Sequence, residues 1–203
     1  VSKQPVSTKI KKKNWYQIVA PKIFNGAMLG ETIVYDQNAM VGKTVTQNLM
    51  NLTNDSKRQN VNIKFVISGI EDKKAQTKVI SYIMVPATVK RLVRRNCRKV
   101  DLSFTCKTKD NVPLRIKSLL VTRTKINNSI LTRMRHSVID HIKKDVHAKT
   151  FDDLLNSLIQ HKLQGELRDS LKKIYPLKTC EIRYAGIDQI SSWEFREIYL
   201  KNW

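Results

Sequence analysis

The pattern of apolar and polar positions splits the chain into a strand-forming stretch and a helix-forming one. Val61, Ile63, Phe65 and Ile67 alternate with Asn62, Lys64 and Val66, a period of two that predicts a strand over 61–67. Residues 41–50 and 77–84 also read as strands, and the polar run 54–60 reads as the loop between the first two. The clearest alternation is Val100, Leu102, Phe104 and Cys106 against Asp101, Ser103, Thr105 and Lys107. A turn at Lys109-Asp110-Asn111 then leads into a return strand over 113–122, with Pro113 tolerable at a strand start and Asn111 suited to positive φ. Between these strand sets, Val85, Val89, Leu92 and Val93 recur at helical spacing around Pro86, which a first helical turn accepts, and a helix over 86–97 is expected.

Beyond Asn128 the period becomes helical. Ile130, Met134, Val138, Ile142 and Val146 line one face of a helix begun by Ser129. Thr150 with Asp153 resembles a capping box, and Phe151, Leu154, Leu155, Leu158 and Ile159 supply the apolar face behind it. A third helix over 165–174 presents Leu167, Leu171 and Ile174 before Tyr175-Pro176 stops it; 177–184 reads as a last strand, and 189–203 fits either period. The expected organisation is a flexible basic arm over 1–14, a sheet-rich core over 15–127, a helical region with a final strand over 128–185, and a tail over 186–203 of unassigned structure.

Charge changes the picture. The chain of 203 residues holds 38 Lys plus Arg against 17 Asp plus Glu, a net charge of +21, yet its 41% hydrophobic content is enough for a core. Residues 1–16 carry +5 and residues 88–135 carry +12, so the rest of the chain has an ordinary balance. Charge this concentrated destabilises a compact fold by self-repulsion unless a polyanion offsets it, and nucleic acid is the natural polyanion. A membrane surface is the competitor, but no basic run adjoins a broad Leu, Phe or Trp helix face. On the expected 86–97 helix, Lys90, Arg91, Arg94, Arg95 and Arg98 form a cationic face opposite the apolar stripe; Arg forks suit phosphate oxygens and stack on exposed bases. Further RNA-binding candidates are Lys9, Lys11, Lys12 and Lys13 in the arm, Arg115, Arg123, Lys125, Arg133 and Arg135, and the aromatics Trp15 and Tyr16. For these two, core anchoring competes with base stacking.

Other chemistry is absent from the pattern. Gly42-Lys43-Thr44 lacks the glycine five positions earlier that a phosphate loop needs, where Gln37 stands, and reads as a strand start with an exposed lysine. His136, His141, His147 and His161 are spaced by five, six and fourteen residues, which suits no metal-chelating helix face, so no metal or cofactor is expected. Asp152 and Asp153 are explained by the positive end of a helix, no nucleophile–base set stands out, and no enzyme activity is expected. Three unpaired cysteines and the lack of an apolar signal core or membrane span point to an unexported, cytoplasmic protein.

Lys12-Lys13-Asn14-Trp15-Tyr16, then Ala20-Pro21 and Phe24, resembles the N-terminal segment of a small-subunit ribosomal protein family of archaea and eukaryotes, called S-three-Ae or S-one-e. Leu92-Val93-Arg94-Arg95, Thr108-Lys109-Asp110-Asn111 with Leu114-Arg115, and Ile174-Tyr175-Pro176-Leu177 with Glu181-Ile182-Arg183 agree with its pattern in the same order. Family members usually carry Gly at the position of Asn111, and the tail from Gly186 matches nothing in the pattern. The resemblance implies an α+β fold with an antiparallel, barrel-like sheet, one basic helix inserted, and C-terminal helices after it. It implies a structural constituent of the small ribosomal subunit, on the platform near the messenger RNA exit, with rRNA and neighbouring platform proteins as partners. The alternative is a free RNA-processing or translation factor using the same basic surface. The short length and the lack of a long charged C-terminal extension favour an archaeal-type member.

Overall fold

The computed structural model describes residues 12–188. Eight strands form one sheet: β1 Asn14–Val19, β2 Met28–Val34, β3 Thr44–Asn48, β4 Val61–Glu71, β5 Lys74–Met84, β6 Lys99–Lys107, β7 Pro113–Thr122 and β8 Leu177–Ile187. Five helices join them: α1 Leu49–Thr53, α2 Pro86–Leu92, α3 Asn128–Ala148, α4 Phe151–Ile159 and α5 Lys162–Lys172. The strands run in the order β2-β1-β5-β8-β7-β6, and β4 lies on the other side of β5 with β3 beyond it. The class is α+β as expected. The sheet is antiparallel as expected except where β1 runs parallel to β5 over Gln17–Val19, and among the described residues no pairing closes it into a full barrel.

Local chemistry accounts for the elements. The β6–β7 hairpin has the expected strands, and its turn places Asn111 at φ 58 while Thr108 Oγ1 accepts from the Val112 amide at 3.3 Å. β4 and β5 are longer than their alternation indicates because Asp72 and Lys73, both at positive φ, make a two-residue hairpin turn. The strand expected over 41–50 is confined to Thr44–Asn48, since the Asn48 side chain accepts from Met50 N at 2.9 Å and starts α1.

The helix expected over 86–97 ends at Leu92, with Val93 already extended and Asn96 at φ 62. Continued helix would stack Arg91 on Arg95 and Arg94 on Arg98 at like-charge i,i+4 spacing. Leaving the helix instead lets Val93 and Cys97 pack down on the sheet.

α3 begins one residue before the expected Ser129 and buries Met134, Val138, Ile142 and Val146. The Thr150 cap forms as read, its hydroxyl oxygen accepting from the Asp153 amide at 3.3 Å. α5 starts earlier than expected, behind His161 at φ 58, and β8 runs to Ile187, which pairs with Leu114. α3 packs on β6 and α5 on β8, so one apolar core joins Phe65, Leu114 and Ile116 of the sheet to Met134, Leu158 and Leu167 of the helices. Residues 189–203 lie outside the described residues.

Candidate nucleic-acid interface

The β6–β7 ladder ends at Lys99 opposite Val121, and one further rung extends it: Arg98 N donates to Thr122 Oγ1 and Thr122 N donates to Arg98 O, each at 3.0 Å. This rung sets the α2–β6 connection beside residues 123–125. Beneath them lies a small second apolar cluster of Met84, Val89, Leu119 and Val121, against which Leu92, Val93 and Cys97 pack. With that side pinned down, Lys90, Arg91, Arg94, Arg95, Arg98, Lys99, Arg123 and Lys125 are all exposed. Two separate lengths of sequence thus make one cationic end.

Seven of its eight charges are uncompensated. Lys99 pairs with Asp101 at 2.7 Å, whereas among the described residues no carboxylate pairs with the other seven. Arg91 Nη2 donates to Thr88 Oγ1 at 3.2 Å and lies 3.4 Å from Asn60 Oδ1, and Arg98 Nη2 donates to Asn128 Oδ1 at 3.3 Å. These neutral partners orient two guanidinium groups and cancel no charge. Such an end favours phosphates, which accept charge-assisted hydrogen bonds and release condensed counterions on binding.

The remaining sequence candidates separate. Lys12 and Lys13 are exposed at the start of β1, and Lys13 Nζ sits 5.1 Å from the Tyr35 ring. Trp15 and Tyr16 were joint candidates for base stacking, but strand alternation sends them to opposite faces. Trp15 is 62% exposed, while Tyr16 is 4% exposed within the core, so Tyr16 is corrected to a core residue. Arg115 is also set apart: it lies far along β7 from Thr122 and is held by Asp188, its Nε 2.9 Å from Oδ1. Arg133 and Arg135 are exposed but flank the buried Met134 on opposite sides of α3, so they do not share a face. Lys9 and Lys11 lie outside the described residues. The sequence reading overlooked Lys99, although it stands in the same basic run, and Asn60, whose role appears only through contact with α2.

The acids and thiols are occupied by the fold. Asp110 accepts from the Phe151 amide at 3.2 Å and so helps cap α4. Burial, then Asp153 and Asp110, raises the Asp152 carboxyl above its usual range. Burial pushes Cys106 up to about 11 and Cys180 up to about 12, far from an activated thiolate. Glu181 on β8 is pushed up to about 7 by burial, against the opposing pull of Arg168 and Arg58; His161, whose Nδ1 is 3.7 Å from Glu181 Oε2, is shifted down by its own burial and by Arg58. No group of three or more His, Cys, Asp or Glu side chains among the described residues could hold a metal ion. No described helix is long and apolar enough to cross a membrane.

The sequence pattern of the Ribosomal S3Ae family matches residues 1–187. A protein of Saccharolobus islandicus named small ribosomal subunit protein eS1 is 33% identical over 182 residues, covering 90% of this chain and 88% of its own. Proteins of the same name from Halorubrum lacusprofundi and Methanothermobacter thermautotrophicus are each 31% identical, over 93% and 85% of this chain and 87% and 88% of their own. With the pattern matched almost throughout and relatives covered nearly end to end, the chain belongs to the ribosomal S3Ae family, whose members are structural components rather than enzymes.

Proposed function

We propose that the chain is a structural constituent of the small ribosomal subunit in the cytoplasm, where it binds rRNA on the platform near the messenger RNA exit, beside other platform proteins. The observation that carries the RNA-binding part is the cationic end: seven exposed cations on two chain segments with no carboxylate partner among the described residues. Lys90, Arg91, Arg94, Arg95, Arg98, Arg123 and Lys125 contact phosphates there. Lys12 and Lys13 add a second contact at β1, Lys9 and Lys11 of the same basic run bind RNA with them, and Arg133 and Arg135 reach RNA from the flanks of α3. Arg115 contributes less, because Asp188 already holds it. The platform position near the messenger RNA exit comes from the family resemblance.

The test is to sediment a cell extract through a moderate-salt gradient and follow the chain alongside a variant with Arg91, Arg94 and Arg95 each changed to Glu. The wild-type chain is expected to travel with small subunits and the variant, normally folded, to be depleted from them. A wild-type chain remaining at the top of the gradient would favour a free RNA-binding factor, and full incorporation of the variant would show that another surface meets the RNA.

A further inference from the structure

We propose that the outer face of the β1–β2 hairpin is a stacking platform for an unpaired stretch of RNA. The proposal rests on the RNA-binding reading above and adds a class of ligand that phosphate contacts do not specify. Antiparallel pairing sets Trp15 opposite Ile33, and two residues outward, past the Asn14–Val34 pair, Lys13 lies over Tyr35. All four side chains point to the same side of the sheet. Trp15 is 62% exposed, Tyr35 52% and Ile33 42%, and α3 and α5 pack chiefly on β6 and β8. Trp15 and Tyr35 are diagonal cross-strand neighbours, about 7–8 Å apart, a separation that consecutive nucleotides of an extended strand can bridge.

Three features select unpaired RNA over a duplex or a protein. Two ring faces offer stacking to any base, which a duplex keeps inside its own stack. Lys12 and Lys13 border the rings, so the start of β1 is electropositive. An apolar protein surface laid over the rings would strip water from those lysines without pairing them. The platform also has an inner limit: the next rung with the same facing is Gln17 opposite Glu31, whose carboxylate repels a phosphate chain.

The experiment measures binding of the full chain to an oligouridylate and to an RNA duplex of equal length, across a range of salt, for the wild type, Trp15→Ala, Tyr35→Ala and Trp15→Phe. Each alanine variant is expected to lose about tenfold in single-strand affinity. The salt dependence and duplex affinity should be unchanged, because stacking neutralises no phosphate, and Trp15→Phe should keep most of the affinity. Thermal unfolding of each variant checks that the exposed rings are dispensable for folding. Unchanged single-strand affinity in a normally folded Trp15→Ala, or equal losses on both RNAs, would overturn the platform. So would loss of a protein partner with RNA binding intact. If the wild type binds neither RNA in a salt-dependent way, the RNA-binding reading itself fails. If Arg94→Gln with Arg95→Gln weakens both RNAs while the ring variants are silent, only the platform fails.

Discussion

The cationic end and the C-terminal α4–α5–β8 region are built from similar numbers of cations used in opposite ways. The end formed by residues 90–99 and 123–125 has eight cations and no acid, while residues 151–188 have six cations and six carboxylates. In the second region charges meet one another or neighbouring strands: Lys172 with Asp169 at 2.6 Å, Arg183 with Asp101 at 3.6 Å, Asp188 with Arg115. That region rests on the main core through Leu154, Leu158, Leu167 and Leu171. The cationic end rests on a minor cluster and leaves its charge for another molecule to cancel. Neutral charge over a large core marks a part that holds the fold, and unbalanced charge over a small one marks a part that meets a partner.

The sharpest separation comes from paired variants. Leu167→Ala removes a fully buried side chain from α5 and is expected to cost about 2–5 kcal/mol of stability in denaturant unfolding, with RNA affinity of the folded fraction unaltered. Arg94→Gln, Arg95→Gln and Arg123→Gln together should leave the unfolding midpoint within error and flatten the slope of log affinity against log salt by about three, at roughly 0.9 per lost phosphate contact. Lys172→Gln, Lys173→Gln and Lys178→Gln, removing the same charge from the balanced region, should change that slope by less than about one. Equal slopes for the two triple variants would erase the contrast.

A smaller effect concerns pH. Burial pushes Glu181 up from the ordinary 4.5 to about 7 in the folded chain, so the folded state holds the extra proton between these values. Its contribution therefore favours folding at low pH and is lost as pH rises towards 7 and above. His161 is shifted down from 6.5, so its contribution is present above that value and is lost as pH falls. Glu181→Gln should accordingly stabilise the chain more at pH 8 than at pH 5, read as the difference in unfolding midpoint; an equal gain at both would show that the carboxyl is not held protonated. Smallest of all, Thr150→Ala should cost about 1 kcal/mol by removing the α4 cap, again without touching RNA affinity.

The sequence carried the fold's repeating parts well. Strict alternation over 100–107 and the helical stripe from Met134 to Val146 each report one buried face, and burial of one face is what periodicity encodes. β1 and β2 escaped this reading. Met28–Val34 has Gly30 at its middle, where the register between Ile18 and Val19 shifts, and no clean alternation survives the irregularity. Tyr35 was therefore not seen beside Lys13, although Lys13 and Trp15 already shared a face. The basic run around Arg94 was plain in the sequence; its shape as a turn instead of a helix was not.

Composition and periodicity were thus enough to indicate strands followed by helices with two basic concentrations, and the order of the short motifs was enough to indicate the family. Tertiary structure alone decided that residues 94–98 lie beside 123–125, that Tyr16 is core and Trp15 surface, that Asp188 takes Arg115, and that Glu181 is half-buried. The reason is one of range. Periodicity records what each residue does relative to its own element, whereas pairing, desolvation and charge compensation depend on residues far away in the chain that only folding brings near.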